Sequence, residues 1–94
     1  MAFNRYSIKY DTTKDARGVA SVWVETTNPK ETEGAGSNER IAFRGDTVTY
    51  KVSLNNRAIW KGWYADKEHT KLISKALDYT FEASEDYILY AYAV

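Results

Sequence analysis

Apolar and polar residues alternate with a period of two over much of the chain, the pattern of strands that bury one face. Tyr6, Ile8 and Tyr10 alternate with Arg5, Ser7 and Lys9, so residues 4–10 predict a strand. Val19 to Thr26 is rich in β-branched residues, carries Trp23 and predicts a second. The polar run from Asp11 to Gly18 separates them, and the two are expected to pair as a hairpin with a long loop. The cleanest alternation sets Val48, Tyr50, Val52 and Leu54 against Thr47, Thr49, Lys51 and Ser53. Ile59 to Ala65, Tyr79 to Glu82 and Tyr87 to Ala93 read as further strands. The last places Tyr87, Leu89, Ala91 and Ala93 on one side and Ile88, Tyr90 and Tyr92 on the other.

Two segments are less regular. Arg40 to Phe43 is a short apolar stretch. Between Asp66 and Leu77, the residues Glu68, Leu72, Ile73, Ala76 and Leu77 fit one helical face, while Leu72-Ile73-Ser74 also fits a short strand between loops, the reading preferred here. Residues 27–39 hold the only Pro, two of the five Gly and no large apolar residue, which predicts a flexible loop around Gly34-Ala35-Gly36. Gly45-Asp46 and Asn55-Asn56 mark turns. The expectation is one all-β domain over residues 1–94. It would be a small, mostly antiparallel sandwich or β-grasp-like sheet of six to seven short strands, with at most one short helix.

Length narrows this further, because 94 residues are too few for two hydrophobic cores. The 14 aromatic residues are therefore needed inside. Thirteen basic residues balance thirteen acidic ones without a block of either sign, which argues against a nucleic-acid groove and an anionic membrane surface. Cys is absent, so disulfides and thiolate metal sites are excluded, and no run of about 18 apolar residues is present to span a membrane. The first residues lack the basic and apolar regions of a secretion signal.

Four motifs run in a familiar order in the second half: Gly45-Asp46-Thr47-Val48-Thr49, Trp60-Lys61-Gly62-Trp63-Tyr64-Ala65-Asp66, Asp78-Tyr79-Thr80-Phe81, and Glu85-Asp86-Tyr87-Ile88-Leu89-Tyr90-Ala91. They resemble the internalin-type B repeat, also called the Listeria-Bacteroides repeat, in its divergent form. The match covers residues 44–94 well; residues 4–43 match only as two leading strands. The loop at 27–39 is longer than the family's usual connection, Trp60 stands where Phe is common, and the unit occurs once. The resemblance implies a compact β-rich unit with Trp63 in its core. It also implies a role as spacer or interaction module in bacterial surface proteins or phage structural proteins. A single unit that starts at Met1 without a secretion signal is closer to a capsid-decorating or tail-associated virion subunit than to a tandem surface repeat.

Arg44-Gly45-Asp46 spells the tripeptide that integrin ligands display on a loop tip; the plainer reading is a Gly turn entering the strand at Val48. Trp60, Trp63 and Tyr64 have the composition of a sugar-stacking platform. Residues three apart on a strand point to opposite faces, however, so Trp60 and Trp63 share one only if a bulge intervenes. Trp60 is expected to be the more exposed. Tyr90 and Tyr92, opposite Leu89 and Ala91, are candidates for a contact face, because Tyr gives large contact area at modest entropic cost. The single His69 lies in a polar run that reads as a solvated loop, and no serine has a nucleophile-elbow context. Asp11 with Asp15, and Glu82 with Glu85 and Asp86, lack an EF-hand spacing; they read as surface charges, with a calcium alternative at Asp11–Asp15.

The sequence thus points to a non-catalytic module without cofactor or metal, acting in a virion or on an extracellular surface. Its expected partners are other protein subunits, with a homo-oligomer as one form of the assembly, and neither nucleic acid nor membrane insertion is expected. The expected contacts are Trp60, Tyr90, Tyr92, the sheet edges and the loop at Gly34, Ala35 and Gly36. A monomeric receptor for a glycan or host protein, dependent on Trp60 or Asp46, is the alternative.

Overall fold

A computed structural model describes residues 5–27 and 37–94 and arranges them as eight strands. In chain order they are β1 (Arg5–Thr12), β2 (Val19–Thr26), β3 (Glu39–Phe43), β4 (Thr47–Leu54), β5 (Trp60–Tyr64), β6 (Leu72–Ser74), β7 (Tyr79–Glu82) and β8 (Tyr87–Ala93). Five form one sheet in the order β3-β1-β8-β5-β6, and three form a second in the order β2-β4-β7. Every neighbouring pair is antiparallel except β1 with β8. The all-β, mostly antiparallel expectation holds, in its sandwich form and without a helix among the described residues. Eight strands replace the expected six to seven, because both short apolar segments pair: β3 with β1, and β6 with β5. The predicted loop also ends earlier than residue 39, since Glu39 already pairs with Lys9. Gly34, Ala35 and Gly36 lie outside the described residues.

The core forms where the alternating apolar faces of the two sheets meet. Ile8, Trp63, Leu89 and Ala91 from the larger sheet close on Val24, Val48 and Tyr50 from the smaller, and all seven are buried. Tyr50 and Trp63 sit with ring centroids 5.3 Å apart and are fully buried. An aromatic ring burying on the order of 200 Å² is worth roughly 5 kcal/mol before entropy is set against it. The Tyr50 hydroxyl donates to the Lys9 carbonyl at 2.8 Å, a polar link between the layers.

The expected hairpin of the first two strands does not form. β1 has both flanks occupied, by β3 and β8, and β2 pairs with β4 in the other sheet. The link between β1 and β2 first follows the end of β8, where Thr13 and Gly18 donate backbone hydrogen bonds to the Ala91 and Ala93 carbonyls. It then crosses to β4, where Asn55 donates to the Gly18 carbonyl. Period-two alternation states which side chains turn inward but not which strand lies alongside. Two faces of the same pattern are buried as well by opposing layers as by one sheet.

β5 contains the irregularity that decides the placement of the tryptophans. Its pairing with β8 matches Trp60 with Ala93 and Gly62 with Tyr92, which leaves an extra residue between them. Gly62 has φ +135°, in the region that favours glycine. The bulge turns Trp60 and Trp63 to the same inner side, with ring centroids 5.3 Å apart and planes at 72°. Trp60 is half-buried and its indole N–H donates to the Lys75 carbonyl at 2.9 Å.

Candidate functional site

The outer face of the larger sheet carries an aromatic cluster built from β5, β8 and the loop after β5. Tyr64 pairs with Tyr90, and Gly62 with Tyr92, so the outward residues of β5 and β8 lie side by side. His69 stacks on Tyr92 with centroids 3.9 Å apart and planes within 3°, and Tyr64 meets both rings edge-on. His69 reaches this position because Asp66 folds the loop between β5 and β6. The Asp66 carboxylate accepts from the Thr70 hydroxyl and from the Thr70 and Lys71 amides, at 2.9 and 3.0 Å for the amides. Those bonds, led by the Thr70 hydroxyl, hold the Asp66 carboxyl below the usual carboxylate range. His69 itself adopts φ +49°, a left-handed conformation that the loop closure imposes. The polar run around His69 is a largely exposed loop, as expected, but the His69 ring itself is half-buried against Tyr92.

The candidate contact residues do not form one surface. Tyr90 and Tyr92 face outward and are half-buried, while Trp60 packs on the opposite, inner side beside Trp63. Trp63 is fully buried, so the bulge that aligns the two indoles places them in the core and not on a stacking platform. Arg44 and Gly45 are exposed in the turn between β3 and β4. The Asp46 carboxylate turns back to accept from the Phe43 amide at 2.9 Å, and the Asp46 carbonyl accepts from Ala83 at 2.8 Å. The Arg-Gly-Asp carboxylate is thus engaged in closing its own turn.

The strongest exposure of large apolar side chains lies elsewhere, at residues that alternation alone did not single out. Leu72 and Ile73 on β6, Leu77 just after it, Ile59 just before β5 and Val94 just after β8 are 42–59% exposed, while Ile88, at 43%, lies apart from them at the start of β8. β6 is one of the two terminal strands of the larger sheet, β3 being the other. Ile59 and Val94 exchange backbone hydrogen bonds, and the Leu77 carbonyl accepts from the Trp63 indole, so these residues frame the β5–β6 end of the sheet. Their signal in the sequence was the run of apolar residues in a segment too short to bury both faces. The outer face of the smaller sheet is more polar: Lys51 lies 3.9 Å from Glu25 and 3.8 Å from Asp78, Thr49 meets Thr80, and Trp23 is the apolar exception.

An open depression of about 250 Å³ is lined by Ser7, Lys9, Asp86, Tyr87 and Ile88. Its Asp86 carboxylate accepts from the Ser7 amide at 2.8 Å, which ties the start of β8 to β1. Among the described residues no three His, Asp or Glu side chains converge on a point where a metal ion would sit. Asp11 accepts from the Thr12 amide. No helix among the described residues is long and apolar enough to cross a membrane. Comparison of the chain with family models, with curated proteins and with solved structures finds no match.

Proposed function

We propose that this domain is a non-catalytic module that contributes protein contacts to a larger assembly. The resemblance to B repeats implies a phage virion or a bacterial surface as the setting. The observation that carries the reading is the concentration of exposed Leu, Ile and Val at the β5–β6 end of the larger sheet. A protein this small needs its apolar residues inside, and five left about half exposed around the β6 edge mark a surface that a partner covers. The half-buried Tyr64, Tyr90 and Tyr92 on the adjoining outer face extend that surface with side chains suited to protein contacts. Catalysis finds little to support it, because the single imidazole is stacked on Tyr92 and the neighbouring Thr70 hydroxyl is bound to Asp66. A glycan platform is not supported either, since Trp63 is buried.

A photoreactive side chain placed at Ile73 or Leu77, compared with one at Ser53 on the polar face of the smaller sheet, tests this. Irradiation is expected to give a protein adduct of defined mass from the first two positions and none from the third. Equal yields from all three, or no adduct, would remove the reading.

A further inference from the structure

Resting on that reading, we propose that the protein which covers the β6 edge is a second copy of this chain, with β6 of one copy pairing with β7 of the other. Both strands are terminal: β6 ends the five-stranded sheet and β7 ends the three-stranded sheet. β2 lies over β1, β3 and β8, and Tyr50 of β4 packs on Trp63 of β5, so β7, beyond β4 in its sheet, lies towards the β6 side.

The charges on the two edges are complementary. β6 is bracketed by Lys71 and Lys75, four residues apart, and β7 by Asp78 and Glu82, also four apart. All four side chains are exposed. This asymmetry is hidden in the net charge of zero: residues 57–77 hold five Lys or Arg against two Asp or Glu, and the rest of the chain holds eight against eleven. An antiparallel pairing centred near Ile73 and Thr80 brings Lys71 towards Glu82 and Lys75 towards Asp78; β6 carries a register irregularity at Ile73, so the two strands are matched at their charged ends. Opposite charges facing each other across a strand pair are favourable and like charges are not.

The same rule excludes the simpler ways in which these edges would associate. β6 against β6, centred on Ile73, sets Lys71 against Lys75 twice, and β7 against β7, centred on Thr80, sets Asp78 against Glu82 twice. Lysines on an edge discourage indiscriminate strand addition, and here they leave an acidic edge as the fitting occupant. Asp78 also lies 3.8 Å from Lys51, an exposed pair that contributes little and yields to a closer one. Directions agree as well. β6 runs parallel to β8, and β7 runs opposite to β4, while β8 and β4 end together around Gly18. β6 and β7 therefore run in opposite senses on one flank, and a copy turned over about an axis along the strands presents its β7 antiparallel to β6.

The test is solution mass by light scattering from about 1 μM to 1 mM for the full chain and two charge-reversed variants, since association between copies rises with protomer concentration. One variant carries Lys71→Glu and Lys75→Glu, the other Asp78→Lys and Glu82→Lys. The wild type is expected to associate with rising concentration, each variant alone to remain monomeric, and an equal mixture of the two to recover the association. Recovery on mixing also establishes that both variants fold. A wild-type chain that stays monomeric throughout, or variants that associate as the wild type does, would overturn the pairing. An adduct from Ile73 to a different protein, with a monomeric wild type, would overturn the self-pairing and leave the module reading standing.

Discussion

Replacing Tyr50 by Phe separates the polar link between the sheets from the packing around it. The ring is fully buried against Trp63, and only the hydroxyl, donating to the Lys9 carbonyl at 2.8 Å, is removed. At neutral pH the loss of one buried hydrogen bond, with its acceptor left short, is expected to cost about 1 to 2 kcal/mol. Alkaline pH changes the sign of the comparison. Burial, with the neighbouring Tyr87 and Tyr79 phenols adding to it, pushes the Tyr50 phenol above its ordinary value. Above pH 10 the unfolded chain loses this proton and the folded chain keeps it, so the unfolded state binds fewer protons and stability falls as pH rises.

For an ordinary phenol in the unfolded chain the loss is about 1.4 kcal/mol at pH 11 and about 2 kcal/mol at pH 11.5. The Tyr50→Phe variant has no such loss, and every other tyrosine is common to both proteins. Urea denaturation followed by far-ultraviolet circular dichroism should therefore give two stability curves. The wild type is higher at pH 7, and the curves converge and meet near pH 11 to 11.5. Curves that stay parallel from pH 7 to 11.5 would refute the protection of the buried phenol, and curves that already coincide at pH 7 would refute its role as a link.

Gly62→Ala should cost about 3 kcal/mol, since the new Cβ lies 2.5 Å from Leu72 Cδ1 and 2.8 Å from the Ser74 carbonyl oxygen at a φ that other residues avoid. Faster amide exchange in β6 than elsewhere should accompany that loss in denaturation experiments. Asp66→Ala should free the loop and unstack His69 from Tyr92, read as loss of ring-current shifts on the imidazole protons by nuclear magnetic resonance. The same change should appear in the wild type on acidification: the lowered pKa means that the ordering is present above the ordinary carboxylate value of about 4 and disappears as pH falls through the folded value. Imidazole shifts that ignore both changes would contradict the assigned role of Asp66. Asp46→Ala should cost about 1 kcal/mol through the lost hydrogen bond from the Phe43 amide to the Asp46 carboxylate, and an unchanged melting temperature would show that the turn does not need the carboxylate.

Strand positions and their inward faces were legible because alternation is a local property. Val48, Tyr50, Leu89 and Ala91 are buried where the period of two put them. Strand neighbours were not legible, since pairing depends on residues far apart in sequence. β1 and β2 fall in different layers although only six residues separate them. The tyrosines on the outer side of β8 were visible from the alternation opposite Leu89 and Ala91. His69 was not, because its place depends on Asp66 accepting from Thr70 and Lys71, a loop closure that leaves no periodic trace.

β5 shows how a single glycine governs what a sequence reading can reach. Strand geometry alone sends Trp60 and Trp63 to opposite faces, and on that basis one indole would be a surface residue. The bulge at Gly62 instead turns both inward, where Trp60 closes over Trp63 and its N–H is tied to the Lys75 carbonyl beyond β6. The large sheet therefore keeps its indoles for the core, and the Trp60–Lys75 bond fixes the segment that carries Leu72 and Ile73. Rigid backing of this kind is what an exposed edge needs if it is to pair with a partner, because a strand that must first be ordered loses part of its binding energy to entropy.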